Sequence, residues 1–238
     1  MAKKIFLAGA TGAVGRRMLP FLRAAGYEVT GTTRVASKAE ELRAAGIIPA
    51  VVDVFDAAAL KAAVSAARPD VIVHQLTDLP HGLKAELMAE GLIRNARLRI
   101  EGTRNLVDAA LGAGARRFIA QSIAFIYAPG REPHDESDPL ISPAEEPWRS
   151  TMEGVATLER LATSTPGLEG IVLRYGMFYG PGTGFEVAPG KPAVHVDAAA
   201  KAAMLAIESG APGVYNIAED GGGVSTVRAH RELGWASD

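Results

Sequence analysis

One segment constrains this chain more than any other: Ile5-Phe-Leu-Ala-Gly9-Ala-Thr11-Gly12-Ala13-Val14-Gly15. Ile5–Ala8 is an apolar run of strand type, and a helical pattern follows from about Ala13 to Ala25, closed by Gly26. Three glycines spaced by three therefore stand on a strand-to-helix turn. The first permits the tight turn, the second lets backbone approach a diphosphate, and the third lets the helix pack closely on the strand. Free N–H groups and the positive end of the helix then face the phosphates. Thr11 adds a hydroxyl. Without the flanking strand and helix the same spacing is only a glycine-rich turn.

The second strand, Glu28–Thr32, ends in Thr32-Thr33-Arg34, with no acidic residue before Glu40. A carboxylate there would hold a ribose 2′-hydroxyl and select NAD. A guanidinium instead matches a 2′-phosphate in charge and fork geometry. Arg34 thus points to NADP over NAD, the alternative being a solvated surface arginine. Asp53, in Val51-Val-Asp-Val54, is placed either to accept from an adenine amino group or to form a turn.

Beyond the loop, apolar strands at 47–52, 71–75 and 117–121 alternate with helical segments at 38–45, 56–67 and roughly 85–111. Pro20 is expected to kink the first helix. Strands this apolar, separated by helix-length segments, predict an α/β fold with a doubly wound parallel sheet of Rossmann type. The texture changes after residue 128. Pro129–Pro147 reads as a long exposed loop, 148–164 as a helix, 171–175 as a strand, and 176–192 as loop. A helix at 197–209, a strand at 214–217 and a short terminal helix near Trp235 complete the chain.

The 25 Lys and Arg nearly balance the 27 Asp and Glu, and no basic stripe marks a nucleic-acid or membrane surface. Cysteine is absent, which removes disulfides and thiol nucleophiles. No apolar run approaches the ~20 residues of a membrane span, and the N-terminus lacks a signal-peptide core, so a cytoplasmic location is the default expectation.

Taken together, these residues resemble the extended and atypical short-chain dehydrogenase/reductases, the NAD-dependent epimerase/dehydratase group. Ala8–Gly15 is similar to that group's glycine motif, Val52-Asp-Val54 to its adenine-contact segment, and Val71-Ile-Val-His-Gln75 to its fourth strand. Gly102-Thr-Arg-Asn105-Leu-Val-Asp-Ala-Ala resembles its long helix, and Leu173-Arg-Tyr-Gly-Met-Phe-Tyr179-Gly-Pro-Gly182 its sixth-strand signature. His195-Val-Asp197, Val214-Tyr-Asn-Ile217 and Arg231-Glu-Leu-Gly-Trp235 follow in the family's order. The resemblance implies cofactor contacts from Gly9, Thr11, Gly12, Ala13, Val14, Gly15, Arg34, Asp53, Val54, Gln75 and Leu76. It implies a small-molecule substrate and leaves a homodimer open.

The family's acid/base residues do not carry over. Its hydroxyl residue after the fifth strand falls on Ile123, beside Ser122, and its Tyr-x-x-x-Lys pair falls on Thr151 and Val155. Neither of these can do the proton transfer. The blocks that build most of a substrate lobe are short as well: twelve residues separate Gly182 from His195, and thirteen separate Ile217 from Arg231. The whole chain, 1–238, therefore reads as a single cofactor domain, with lid elements drawn from about 176–196 and 218–238.

Ser122 and Tyr127, past a strand's C-terminal end, and His81, in the loop after the fourth strand, are the substitute proton-donor candidates. Each also has a plain structural reading. No two histidines share metal-ligand spacing with a carboxylate, so no metal site is expected. Two functions remain. One is an atypical NAD(P)-dependent oxidoreductase acting on a small carbonyl or sugar-like substrate. The other is a non-catalytic NAD(P)-sensing or interaction protein on the same scaffold.

Overall fold

A computed structural model describes residues 2–237, the side chain of His81 excepted. Seven parallel strands form the sheet: β1 (Lys4–Ala8), β2 (Glu28–Thr33), β3 (Ile48–Val51), β4 (Val71–His74), β5 (Arg117–Ile123), β6 (Glu169–Tyr175) and β9 (Gly213–Ile217). Their order is β3-β2-β1-β4-β5-β6-β9, so the chain winds outward in one direction from β1 and then returns to continue in the other. The expected doubly wound Rossmann-type sheet is present. Its switch point lies between β1 and β4, where Ala8 pairs with His74, and open α/β sheets bind ligands at the carboxyl edge of such a point.

Alternation of side chains along each strand fills two apolar layers. On one face, Ile5, Leu7, Val73, Ile119 and Leu173 pack with α1 (Ala13–Ala24) and α7 (Val196–Glu208). On the other, Phe6, Ile72, Phe118 and Val172 pack with α3 (Ala57–Ala67), α5 (Thr103–Ala113) and α6 (Arg149–Ser164). Strands buried on both faces need continuous apolar runs, which is why they were legible in the sequence. Pro20 lies inside α1 without ending it. A short helix, α2 (Ala39–Ala44), packs against β3.

Three segments differ from the sequence reading. The long helix expected at 85–111 begins with a 3₁₀ turn at Ala85–Leu87 and continues as α4 (Met88–Arg97). It then passes through a π-helical turn, Leu98–Gly102, before α5. Within 176–192, read as loop, lies β7 (Met177–Tyr179), which pairs in parallel with β8 (Ala193–His195) as a separate two-stranded sheet. Three-residue strands closed by tertiary pairing leave no periodic signal. The terminal helix is a π turn at Ala229–Leu233 that seats Trp235, fully buried, under α7, its indole N–H donating to the Ala198 carbonyl at 2.8 Å.

Candidate cofactor and substrate site

The glycine loop sits where β1 meets α1. Gly9 has φ of +91°, and a Cβ there would stand 2.9 Å from the Gln75 carbonyl oxygen. A Cβ on Gly15 would stand 2.1 Å from the Gly9 carbonyl oxygen. Each position thus excludes any side chain by backbone contact. Gly12 N–H donates to the Gly9 carbonyl at 3.0 Å, and the Thr32 hydroxyl, from β2, accepts from Gly9 N–H at 3.0 Å. Gly12 caps α1 with no side-chain hydrogen bond, and the first turn holds no acid. The amides of Ala13, Val14 and Gly15 are therefore open to an anion at a positive helix terminus.

Beside this loop, Gln75 is buried next to the Tyr175 hydroxyl, and its side-chain nitrogen and oxygen make no well-formed hydrogen bond. A buried carboxamide left unpaired is costly unless a ligand completes it. The glycine cradle and this carboxamide fit a dinucleotide at the switch point.

Thr33 ends β2 in a turn, its hydroxyl accepting from Val35 N–H at 3.2 Å, and leaves Arg34 half-exposed. The Arg34 guanidinium lies 3.5 Å from Asp78, which Arg94 approaches at 3.9 Å. Asp53 is exposed, with one carboxylate oxygen holding a turn by accepting from Phe55 N–H at 2.9 Å. The next residue, Val54, is fixed from α5 because Asn105 donates to its carbonyl at 2.9 Å. Leu76, half-buried, packs on the same apolar layer as Val54.

The proton-donor candidates are held differently. The Ser122 hydroxyl donates at 2.6 Å to Glu159 on α6. Arg174 on β6 forms a two-point pair with that same carboxylate, at 2.9 and 2.7 Å, and all three residues are buried. Tyr127 donates to Asn216 at 2.7 Å and accepts from Arg174 at 2.9 Å, with its ring stacked on His134 at 5.1 Å. Burial raises the Tyr127 pKa, opposed by the adjacent Arg174 cation. Both hydroxyls are thus committed to an internal network. The structure places His81 in a short 3₁₀ turn after β4, but its side chain lies outside the described residues.

Thr151 and Val155 are buried on α6. Val155 joins Ile126 and Met152 in an apolar cluster, with Ile123, Leu140, Ile141 and Trp148 against it. The Pro129–Pro147 segment is tied down at points. His134 N–H donates to the Gly223 carbonyl at 3.0 Å, and the Glu136 carboxylate accepts from Asn216 N–H at 2.8 Å. Around β7, β8 and the start of α7, Tyr179 donates to Glu219, His195 caps α7 by accepting from Asp197 N–H at 3.3 Å, and Arg17 pairs with Asp197. No group of three or more His, Cys, Asp or Glu is poised to hold a metal among the described residues.

The Glu159–Arg174 pair escaped sequence reasoning, as did the buried Arg99 on the π turn. A sequence signal existed for Arg99. The spacing Asn95, Arg99, Thr103, Val107 puts it on the stripe of the long helix whose other members are all buried.

A doubly wound sheet with a glycine cradle and an open helix terminus at its switch point defines a dinucleotide-binding protein of the short-chain type. The chain belongs to the NAD dependent epimerase/dehydratase family, whose model matches residues 5–193. It is 44% identical over 238 residues to a 3-diazoavenalumate denitrifying reductase of Streptomyces sp, an alignment covering 91% of this chain and 76% of that protein. Among solved structures, the UDP-glucose 4-epimerase of Thermotoga maritima superposes with a TM-score of 0.78 at 22% identity, over 98% of this chain and 93% of that one. The UDP-glucose 4-epimerase of Thermus thermophilus in complex with NAD gives 0.73 at 22%, over 98% and 84%. These two likenesses concern the fold. Family and relative together support an NAD-dependent oxidoreductase or epimerase activity on a small molecule. No helix among the described residues is long and apolar enough to cross a membrane.

Proposed function

We propose that this chain is an NADPH-dependent reductase that removes dinitrogen from a diazo-bearing small molecule. The observation that carries the reading is the apolar cluster of Ile123, Ile126, Met152 and Val155, in place of the family's proton-transfer residues. Reduction of a carbonyl or sugar-like substrate needs a proton for the developing alkoxide, and nothing in that cluster donates one. Reductive loss of nitrogen does not. With a diazonium carbon, the hydride's electron pair makes the C–H bond, the C–N pair leaves with N₂, and charge balances without an acid: R–N₂⁺ + NADPH → R–H + N₂ + NADP⁺. The name of the Streptomyces relative describes a reaction of this kind.

The reduced nicotinamide, when bound, supplies the hydride. The protein's own residues bind, orient and exclude water. Gly9, Gly12 and Gly15 admit the diphosphate to the amides of Ala13, Val14 and Gly15, and Thr11 flanks it. Gln75 and Leu76 border the cofactor at the end of β4, and Val54 and Asp53 border the adenine. Arg34 holds the 2′-phosphate in competition with Asp78. The segments 176–196 and 218–238 supply the reduced lid elements of a single domain, Tyr179 and His195 among them. Ser122 and Tyr127 act as scaffold rather than donors.

The test is turnover of an aryl diazonium carboxylate with 4-deuterated NADPH. One N₂ released per NADPH oxidised, deuterium on the former C–N carbon, and kcat flat from pH 6 to 9 are expected. Hydrogen arriving from solvent, or no NADPH oxidation at all, refutes the reading. In the second case the non-catalytic cofactor sensor becomes the better description.

A further inference from the structure

Arg99 lies in the π turn Leu98–Gly102 and is 8% exposed. Its guanidinium makes no hydrogen bond or ion pair with any described residue. The other buried charged side chains, Glu159 and Arg174, satisfy each other. Glu159 on α6 exerts a charge effect on Arg99, but its oxygens are already taken by Arg174 and Ser122. Burial pushes the Arg99 pKa down to about 10, against the opposing pull of the Glu159 charge, so the group stays cationic at neutral pH. A buried, unpaired cation is strongly unfavourable and persists where a partner arrives from outside.

Its location supports such a partner. One turn further along the helix, the Thr103 hydroxyl meets His74 Nε2 at 3.1 Å, and His74 is the last residue of β4. The helix runs against the strands, so Arg99 lies one turn, about 6 Å, beyond the carboxyl edge of the sheet, on the ligand side. Neighbouring α6 approaches closely there, since a Cβ on Gly154 would stand 3.0 Å from Ala96 Cα. The next residue, Val155, belongs to the apolar cluster. The only fully buried, unpartnered polar side-chain atoms among the described residues are those of Gln75, so the Arg99 nitrogens keep access to open space. A π turn re-aims side chains and recurs at functional sites.

We propose that Arg99 binds the carboxylate of a small-molecule substrate at the carboxyl edge of the sheet. A planar fork in a low-dielectric pocket suits a two-point oxyanion contact. The proposal rests on the reading above that this chain takes a small-molecule substrate, but not on the denitrifying reaction.

Calorimetric titration of the full chain with cinnamate and its uncharged isostere cinnamide, with and without NADP⁺, tests it. Wild type binds cinnamate at least about tenfold tighter than cinnamide, the effect of a charged hydrogen-bonded pair. Arg99→Met abolishes that preference and leaves NADPH affinity within twofold. Its ligand-free Tm is unchanged or higher, because an unpaired buried charge has gone. Arg99→Lys keeps part of the preference. A preference that survives in Arg99→Met overturns the proposal. So does a parallel loss of NADPH affinity, which would give the guanidinium to the cofactor, or a fall in ligand-free Tm, which would make it a structural cation. No readout requires turnover, so the reductase reading fails or stands separately.

Discussion

Gly15→Ala tests the cofactor site with the smallest steric probe available. The added Cβ would stand 2.1 Å from the Gly9 carbonyl oxygen, 2.9 Å from its carbon and 3.0 Å from Ala10 Cα. A carbon–oxygen contact settles near ~3.3 Å or beyond, so loop and helix must part by about 1 Å. All three clashing atoms are backbone, and no rotamer relieves them. Overpacking of this kind costs about 1–3 kcal/mol of stability. It also draws the Ala13, Val14 and Gly15 amides away from the phosphate position. Losing one hydrogen bond to a charged group, about 1.5–3 kcal/mol, lowers affinity by roughly tenfold to a hundredfold. NADPH fluorescence titration at fixed ionic strength, paired with a thermal melt, reads both effects. Gly112→Ala is the control. It lies in α5, and its Cβ would meet only Lys61 Cε, at 3.7 Å. There the same substitution should add about 0.4–1 kcal/mol and leave affinity unchanged. If Gly15→Ala binds NADPH within twofold of wild type, the loop is not the phosphate cradle.

Arg34→Ala should weaken NADPH binding about tenfold while leaving NADH within twofold, as expected for one charge-assisted contact. An unchanged NADPH-to-NADH ratio would remove the 2′-phosphate role. Asp78→Asn, which frees Arg34 from the carboxylate 3.5 Å away, should shift the ratio further toward NADPH. Glu159→Gln leaves Arg174 buried against a neutral partner, so denaturant titration should report a loss of about 3–5 kcal/mol; a loss under 1 kcal/mol would mean the pair is solvated. Acidification has a definite sign at His74, whose pKa burial pushes down to about 3. Between that value and about 6.5 the unfolded chain binds the extra proton, so stability falls as pH falls, by up to about 1.4 kcal/mol per unit. Tm measured from pH 7 to 4 should show this slope, and His74→Gln should flatten it.

What could be read in advance followed from local physics. The strand–glycine–helix turn at 5–15 was legible because each glycine answers a nearby backbone requirement. The seven strands of the sheet were legible as short runs separated by helix-length segments, and the inner ones because burial on both faces forces apolar residues. That no Tyr-x-x-x-Lys occurs in the chain was legible by inspection. The rest depends on contacts far apart in sequence. Pairing of Met177–Tyr179 with Ala193–His195 joins two short segments across a Gly- and Pro-rich loop. Ser122 and Tyr127 looked free for chemistry at a strand end, yet Glu159, Arg174 and Asn216 converge on them from other elements.

Local pattern was thus enough to specify a parallel sheet, the strand–glycine–helix turn at 5–15 and the absence of any Tyr-x-x-x-Lys. Periodicity and glycine sterics act over a few residues, so one dimension suffices to encode them. Which polar groups are satisfied and which are left over is set by long-range packing. A hydroxyl or a guanidinium is paired or unpaired according to what distant strands and helices bring within 3 Å of it. That is how the Ser122 and Tyr127 hydroxyls came to be tied into an internal network, and how the buried Arg99 guanidinium was left without an ion-pair partner among the described residues.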